Sequence, residues 1–187
     1  LLVGFPMRYV PLINPSRAVA DAIFMTSRDG LHFKRWTEAL IRPGLMQERW
    51  VNRNNMPAWG IVETKSDLHG GTELSLYTTE NYYGAGAARL RRHTLRLDGF
   101  VSVNAPLKGG EFITKPLQFE GKTLAINYST SAAGSIRVEI QDENGKEIEG
   151  FRLADSAEII GDELERALHD EKMMTLKVPV RGYIKDP

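Results

Sequence analysis

Turn chemistry recurs along this chain at short intervals and leaves room for little but short strands. Asp29-Gly30, His69-Gly70-Gly71, Asp98-Gly99, Lys108-Gly109-Gly110, Glu120-Gly121 and Asn144-Gly145 are all pairs or triplets in which glycine can take the positive φ of a tight turn. Strand-like runs separated by such turns every ~8–12 residues are the mark of an all-β sandwich, barrel or propeller. The clearest case is residues 24–36, where Phe24-Met25-Thr26-Ser27 leads into Asp29-Gly30 and returns through Phe33 to Trp36. A tight β-hairpin is predicted there.

The second half repeats the pattern with cleaner alternation. Ile136, Val138 and Ile140 alternate with Arg137, Glu139 and Gln141, which predicts one buried and one wet face before a turn at Asn144-Gly145. Leu124, Ile126 and Tyr128 alternate with Ala125 and Asn127 in the same way. Only residues 161–169 are ambiguous: Leu164, Ala167 and Leu168 fit helical spacing with Asp162 as a cap, and a strand fits as well.

Composition narrows the function classes. The chain has 187 residues, enough for one large or two small domains, and Lys plus Arg and Asp plus Glu both number 24. It therefore has no global basic field to hold nucleic acid. With no cysteine, disulfides, thiolate metal sites and thiol nucleophiles are excluded. No apolar run approaches the roughly 20 residues of a membrane span, so no membrane insertion is expected. His32, His69, His93 and His169 lack metal-ligand spacing, and no cofactor motif is present. Leu1-Leu2-Val3-Gly4-Phe5 already reads as a strand and the last residues stop in another, so the expectation is a segment of a longer polypeptide.

The three Trp residues (Trp36, Trp50 and Trp59) fall in the first half, and a change of composition near Leu90 divides the chain into expected domains 1–90 and 91–187. Glu48-Arg49-Trp50-Val51-Asn52-Arg53-Asn54-Asn55 gathers a flat ring, planar polar groups and a carboxylate, the mixture that sugars require. Substrate-binding candidates are thus Glu48, Trp50, Asn52 and Arg53, joined by Glu80 ahead of Asn81-Tyr82-Tyr83. The competing reading puts Trp50 and Trp59 in the core and makes the Arg and Asn residues turn formers. Glu73, in an alternating strand, is expected to face solvent. Arg89, Arg91, Arg92 and Arg96 are split between two strand faces, which disfavours a nucleic-acid patch and suggests ion pairs between domains or a solvated edge.

With these residues in place, the chain resembles the invertase and levanase family of glycoside hydrolases, family 32. The resemblance is carried by the Ser27-x-Asp29-Gly30-x-x-Phe33-x-x-Trp36 pattern, by Trp50 with Arg53-Asn54-Asn55, by Ala58-Trp59-Gly60, by Asp98-Gly99-Phe100-Val101, and by residues 131–139. It implies late blades of a five-bladed β-propeller followed by an antiparallel β-sandwich, an extended 161–166 segment, a carbohydrate substrate, and an extracellular or periplasmic bacterial setting. It also implies a retaining mechanism with an Asp nucleophile on an early blade. The family's Trp-Met-Asn-Asp-Pro, Arg-Asp-Pro and Glu-Cys motifs have no match here, since Asp186-Pro187 follows Lys185 and cysteine is absent. No catalytic residue is carried over. Two expectations follow: the C-terminal portion of a glycoside hydrolase whose nucleophile lies upstream, or a non-catalytic carbohydrate-binding or structural module.

Overall fold

The structure is a computed structural model that describes residues 1–12, 18–67, 71–106, 108–118, 123–168, 177–178 and 180–185. The turns expected at His69-Gly70 and Glu120-Gly121, His169, and the Asp186-Pro187 end lie outside the described residues. The chain divides into two compact units, Leu1–Phe100 and Val101–Pro187. Both are antiparallel β-structures, with no α-helix among the described residues. No helix there is long and apolar enough to cross a membrane.

The first sheet of unit 1 contains β1 (Leu2–Gly4), β2 (Met7–Pro11), β3 (Ala18–Ser27) and β4 (Phe33–Ile41). β1 and β2 run end to end in a single register along β3, Leu2 opposite Ser27 and Pro11 opposite Ala18. Pro6 interrupts them because it has no N–H to donate, but its carbonyl still accepts from Ile23 N at 3.0 Å. β4 pairs with β3 as the return arm of the expected hairpin. The connection is longer than a two-residue turn: Ser27 pairs with Phe33, leaving residues 28–32 as the loop. Asp29 organises it, accepting from His32 N (2.8 Å), Leu31 N (2.9 Å) and the Ser27 hydroxyl (3.0 Å), while Gly30 takes φ +77°. These bonds, the one from His32 N first, hold the Asp29 carboxyl well below the usual carboxylate range.

The second sheet has the order β5 (Val62–Lys65), β6 (Thr72–Glu80), β7 (Arg89–Arg96). The sequence boundary near Leu90 falls inside β7, which pairs with β6 from Glu73–Arg96 to Glu80–Arg89, and the division between units comes after Phe100. Ala22, Ile41 and Leu76 pack together with Phe5 and Leu40 beside them, so residues of both sheets share a core. Ile41 and Leu76 each contribute about 2 kcal/mol by leaving water. Phe24 stacks on Phe100 at 5.1 Å.

Two expectations on these strands are corrected. Glu73 is buried rather than solvent-facing, because on the central strand β6 the neighbouring Arg92 reaches over it at 2.8 Å. Three arginines of β7 find their carboxylates inside unit 1: Arg89 and Arg91 converge on Glu80, and Arg92 takes Glu73 on the other face.

Unit 2 contains β8 (Gly110–Ile113), β9 (Leu117–Gln118), β10 (Ala125–Ser129), β11 (Ser135–Ile140), β12 (Asp162–Ala167), β13 (Lys177–Val178) and β14 (Val180–Lys185). They form a three-stranded sheet β11-β14-β8 and two ribbons, β10-β12 and β9-β13. The ambiguous 161–169 segment is therefore a strand over Asp162–Ala167. Tyr128 of β10, Val138 of β11 and Ile159 cluster with Ile126 and Ile136 against them, and Ile140 packs on Phe151. The wet face expected for β11 is corrected at its end: Glu139 and Gln141 are buried. Gln141 donates to the Glu139 carboxylate at 2.6 Å and Leu153 N donates to its other oxygen at 3.0 Å, which replaces the water that alternation had assumed.

Candidate functional site

The segment after β4 builds the site. It turns at Gly44 (φ +70°), makes one 3-10 turn over Gln47–Arg49, and turns again through Arg53 (φ +67°) and Asn55 (φ +59°). It then lies antiparallel to the end of β6, with Asn55 N donating to Thr79 O at 2.8 Å and Ala58 N to Tyr77 O at 2.7 Å. Two asparagines hold this path from inside. Asn54, 1% exposed, donates to Glu48 O and accepts from Tyr82 N, at 2.9 and 3.0 Å. Asn55, fully buried, donates to Ala20 O (2.9 Å) and Arg49 O (3.0 Å) and accepts from Arg49 Nε (2.9 Å). A short amide tolerates the left-handed backbone and satisfies buried polar groups that a loop would otherwise orphan.

Beneath the loop lies a charged knot. The Glu80 carboxylate, 2% exposed, meets Arg49 Nε at 3.3 Å, Arg89 Nε at 3.1 Å and Arg91 Nε in a short contact. Burial pushes the Glu80 carboxyl up, but hydrogen bonds from Arg91 and Arg89 and the charges of Arg91 and Arg49 outweigh it, leaving the group below its ordinary value. Glu80 is thus an ionised anchor with both oxygens engaged. It is neither a proton donor nor a free nucleophile at neutral pH. His93 sits alongside, its Nε2 2.9 Å from Thr78 Oγ1, and burial together with the charges of Arg49 and Arg91 lowers its pKa. Arg49 Nη2 is buried without a hydrogen-bond partner.

The outer layer carries the exposed groups. Trp50 is half exposed, its ring fixed by a 2.7 Å hydrogen bond from Nε1 to Gly44 O, and Trp59 stands fully in solvent. Neither is core, against the alternative reading of the sequence; the asparagines are inside instead. Asn52 Oδ1 accepts from Arg53 N at 2.8 Å. The Arg53 guanidinium donates to Tyr82 OH at 3.1 Å and lies 5.3 and 5.9 Å from the Tyr82 and Tyr83 ring centres. The two tyrosines meet edge to face at 5.0 Å. An open groove of about 690 Å³ is lined by Leu12, Ala18, Gln47, Trp50, Asn52 and Tyr83, with Val51 completing it.

The five sequence candidates therefore separate into two groups. Trp50 and Asn52 line the groove, and Arg53 stands at its rim through the shared Tyr83. Glu48 and Glu80 belong to the charged knot, where Arg89 reaches both, at 4.0 Å and 3.1 Å. Among the described residues that line the groove no side chain is acidic. Among the described residues no group of three or more His, Cys, Asp or Glu is placed to hold a metal ion. Tyr82, Tyr83 and Arg49 were not singled out by sequence. The adjacent tyrosines before Gly84-Ala85-Gly86 were the available signal, two large rings where β6 gives way to a turn. No protein-family model, curated protein or solved structure matches the chain.

Proposed function

We propose that this chain binds carbohydrate through the groove of unit 1, as the binding portion of a protein resembling the invertase and levanase glycoside hydrolases. The observation that carries this reading is the fixed aromatic platform. Trp50 and Tyr83 line the groove together with the amide side chains of Gln47 and Asn52, and the Arg53 guanidinium lies beside Tyr83. Such rings cover the C–H face of a sugar, and amides and guanidinium meet its hydroxyls. Hydrolysis needs two carboxyl groups flanking the bond. With Glu80 fully engaged and no acidic side chain among the described lining residues, the reacting carboxylates in this reading come from outside the described residues. The two successive antiparallel sheets of unit 1 support its interpretation as propeller blades. The apolar cluster joining β10 and β11 supports a sandwich for unit 2.

The test is isothermal titration of the protein against a panel of fructan, arabinan and plant-glycan oligosaccharides, with Trp50→Ala and Tyr83→Ala alongside. Binding that weakens about tenfold or more in each variant, at unchanged melting temperature, is expected. Binding untouched by both variants, or no binding to any member of the panel, overturns the reading.

A further inference from the structure

We propose that Arg53 recognises an acidic group, a carboxylate or a sulfate, on the bound sugar. This rests on the carbohydrate-binding reading and names its ligand class. Three observations at one residue converge.

The first is charge. Arg49, Arg89 and Arg91 all find carboxylate oxygen in Glu80, and Arg92 finds it in Glu73. Arg53 is exposed, and among the described residues no carboxylate lies within 4.0 Å of it; its one side-chain hydrogen bond goes to the neutral Tyr82 hydroxyl. Around the groove and the knot beneath it stand four arginines, Arg49, Arg53, Arg89 and Arg91, against two glutamates, Glu48 and Glu80. The formal charge of the whole chain is zero. The local excess is positive, and Arg53 is its exposed member with no carboxylate within 4.0 Å among the described residues.

The second is preorganisation. The guanidinium lies against two tyrosine rings and is hydrogen-bonded to one of them, so its plane is set before any ligand arrives. A guanidinium fork matches two oxygens of one carboxylate or sulfate, and a fork already oriented loses little freedom on binding. A neutral hydroxyl uses one such donor and gains nothing from the charge.

The third is backbone cost. Arg53 holds φ +67°, a region that glycine occupies freely and a long side chain does not. Asn52 Oδ1 on its N–H and the Thr79 hydroxyl on its carbonyl, at 2.8 and 2.6 Å, keep it there. A turn whose only task was to reverse the chain would do better with glycine. A strained residue whose exposed side chain lies against Tyr83, a ring that lines the groove, points to a ligand.

The experiment measures binding of the protein to two acidic probes, an oligogalacturonide and a sulfated galactan oligosaccharide, each paired with its neutral counterpart, carboxyl-reduced or desulfated. At least one acidic probe is expected to bind about tenfold tighter than its neutral partner, an advantage that shrinks as salt rises. Which probe shows it separates a uronate from a sulfate ester. Arg53→Gly, which suits the backbone, should abolish the advantage while leaving the melting temperature unchanged; Arg53→Lys, which keeps the charge without the fork, should retain part of it. Equal affinity for acidic and neutral partners, or an advantage that survives Arg53→Gly, overturns the proposal. If neutral sugars bind and depend on Trp50 and Tyr83 while acidity adds nothing, only this inference falls; if no probe binds, it falls together with the carbohydrate reading.

Discussion

The interior beneath the loop of unit 1 and the interior of unit 2 are built from different materials. Under the loop the buried groups are Asn54, Asn55, Arg49 and Glu80, tied by directional bonds to particular carbonyls and guanidinium nitrogens. In unit 2 the centre is Tyr128, Val138 and Ile159, with Ile140 on Phe151, where shape and area matter more than direction. A polar interior is intolerant of substitution because each lost partner leaves another group dry and unpaired. An apolar one yields by degrees. The polar construction belongs to the region that displays Trp50, Arg53 and Tyr83 in fixed positions, which suggests that the buried bonds serve to place the exposed groups.

That contrast can be broken at several points. Glu80→Gln keeps the volume and removes the charge that three guanidiniums share, so it should cost about 3 kcal/mol in a urea titration. This is the lower end for a broken buried pair, since Arg89 and Arg91 are half exposed and water screens what remains. Asn55→Ala deletes three buried hydrogen bonds and sets alanine at φ +59°, for a loss of about 2 kcal/mol; it should also weaken any ligand of the groove, because the loop no longer docks on Ala20. Ile140→Val in unit 2 removes one methylene group, about 1 kcal/mol, with no effect on the groove. A cost for Ile140→Val as large as that for Glu80→Gln would dissolve the comparison.

The smallest effect concerns acid. Burial and the charges of Arg49 and Arg91 hold His93 below its ordinary 6.5, so the folded protein binds fewer protons there than the unfolded chain. Its contribution is whole above about pH 6.5 and is lost as the pH falls below that. Glu80, held below its ordinary 4.5, adds a second decline beneath that value. Chemical denaturation at stepped pH should show the upper decline vanish in His93→Gln.

Strand placement was legible wherever alternation or turn chemistry spoke. The hairpin around Asp29-Gly30, the faces of residues 124–128 and the turn at Asn144-Gly145 follow from local rules, and the extended 162–167 segment came from resemblance. Glu73 and Glu139 were illegible for a common reason. Carboxylates on strands are assigned to water by pattern, and only the partner, Arg92 or Gln141, shows that water has been replaced. Glu80 was chosen as a binding candidate, and only Arg49, Arg89 and Arg91 show it engaged as an anchor. At the groove, Trp50, Asn52 and Arg53 could be picked out by chemistry, because a ring, an amide and a guanidinium in one loop stretch are visible in the sequence. Their support could not, because nothing local shows that the turn residues Asn54 and Asn55 are also buried and bonded to Ala20, Arg49 and Tyr82.

The continuous register of β1 and β2 along β3 has a bearing on how unit 1 assembles. A ten-residue strand flanked on one side by residues 2–11 and on the other by β4 has partners from both directions of the chain, and it carries the carbonyl of Ala20 on which the loop is moored. Its amides should be the last of the unit to exchange with deuterium, opening only when the whole unit opens. A chain lacking residues 1–11 would then expose one whole edge of that strand, and the price would be paid in self-association, an unpaired ladder seeking its like, before it was paid in lost secondary structure.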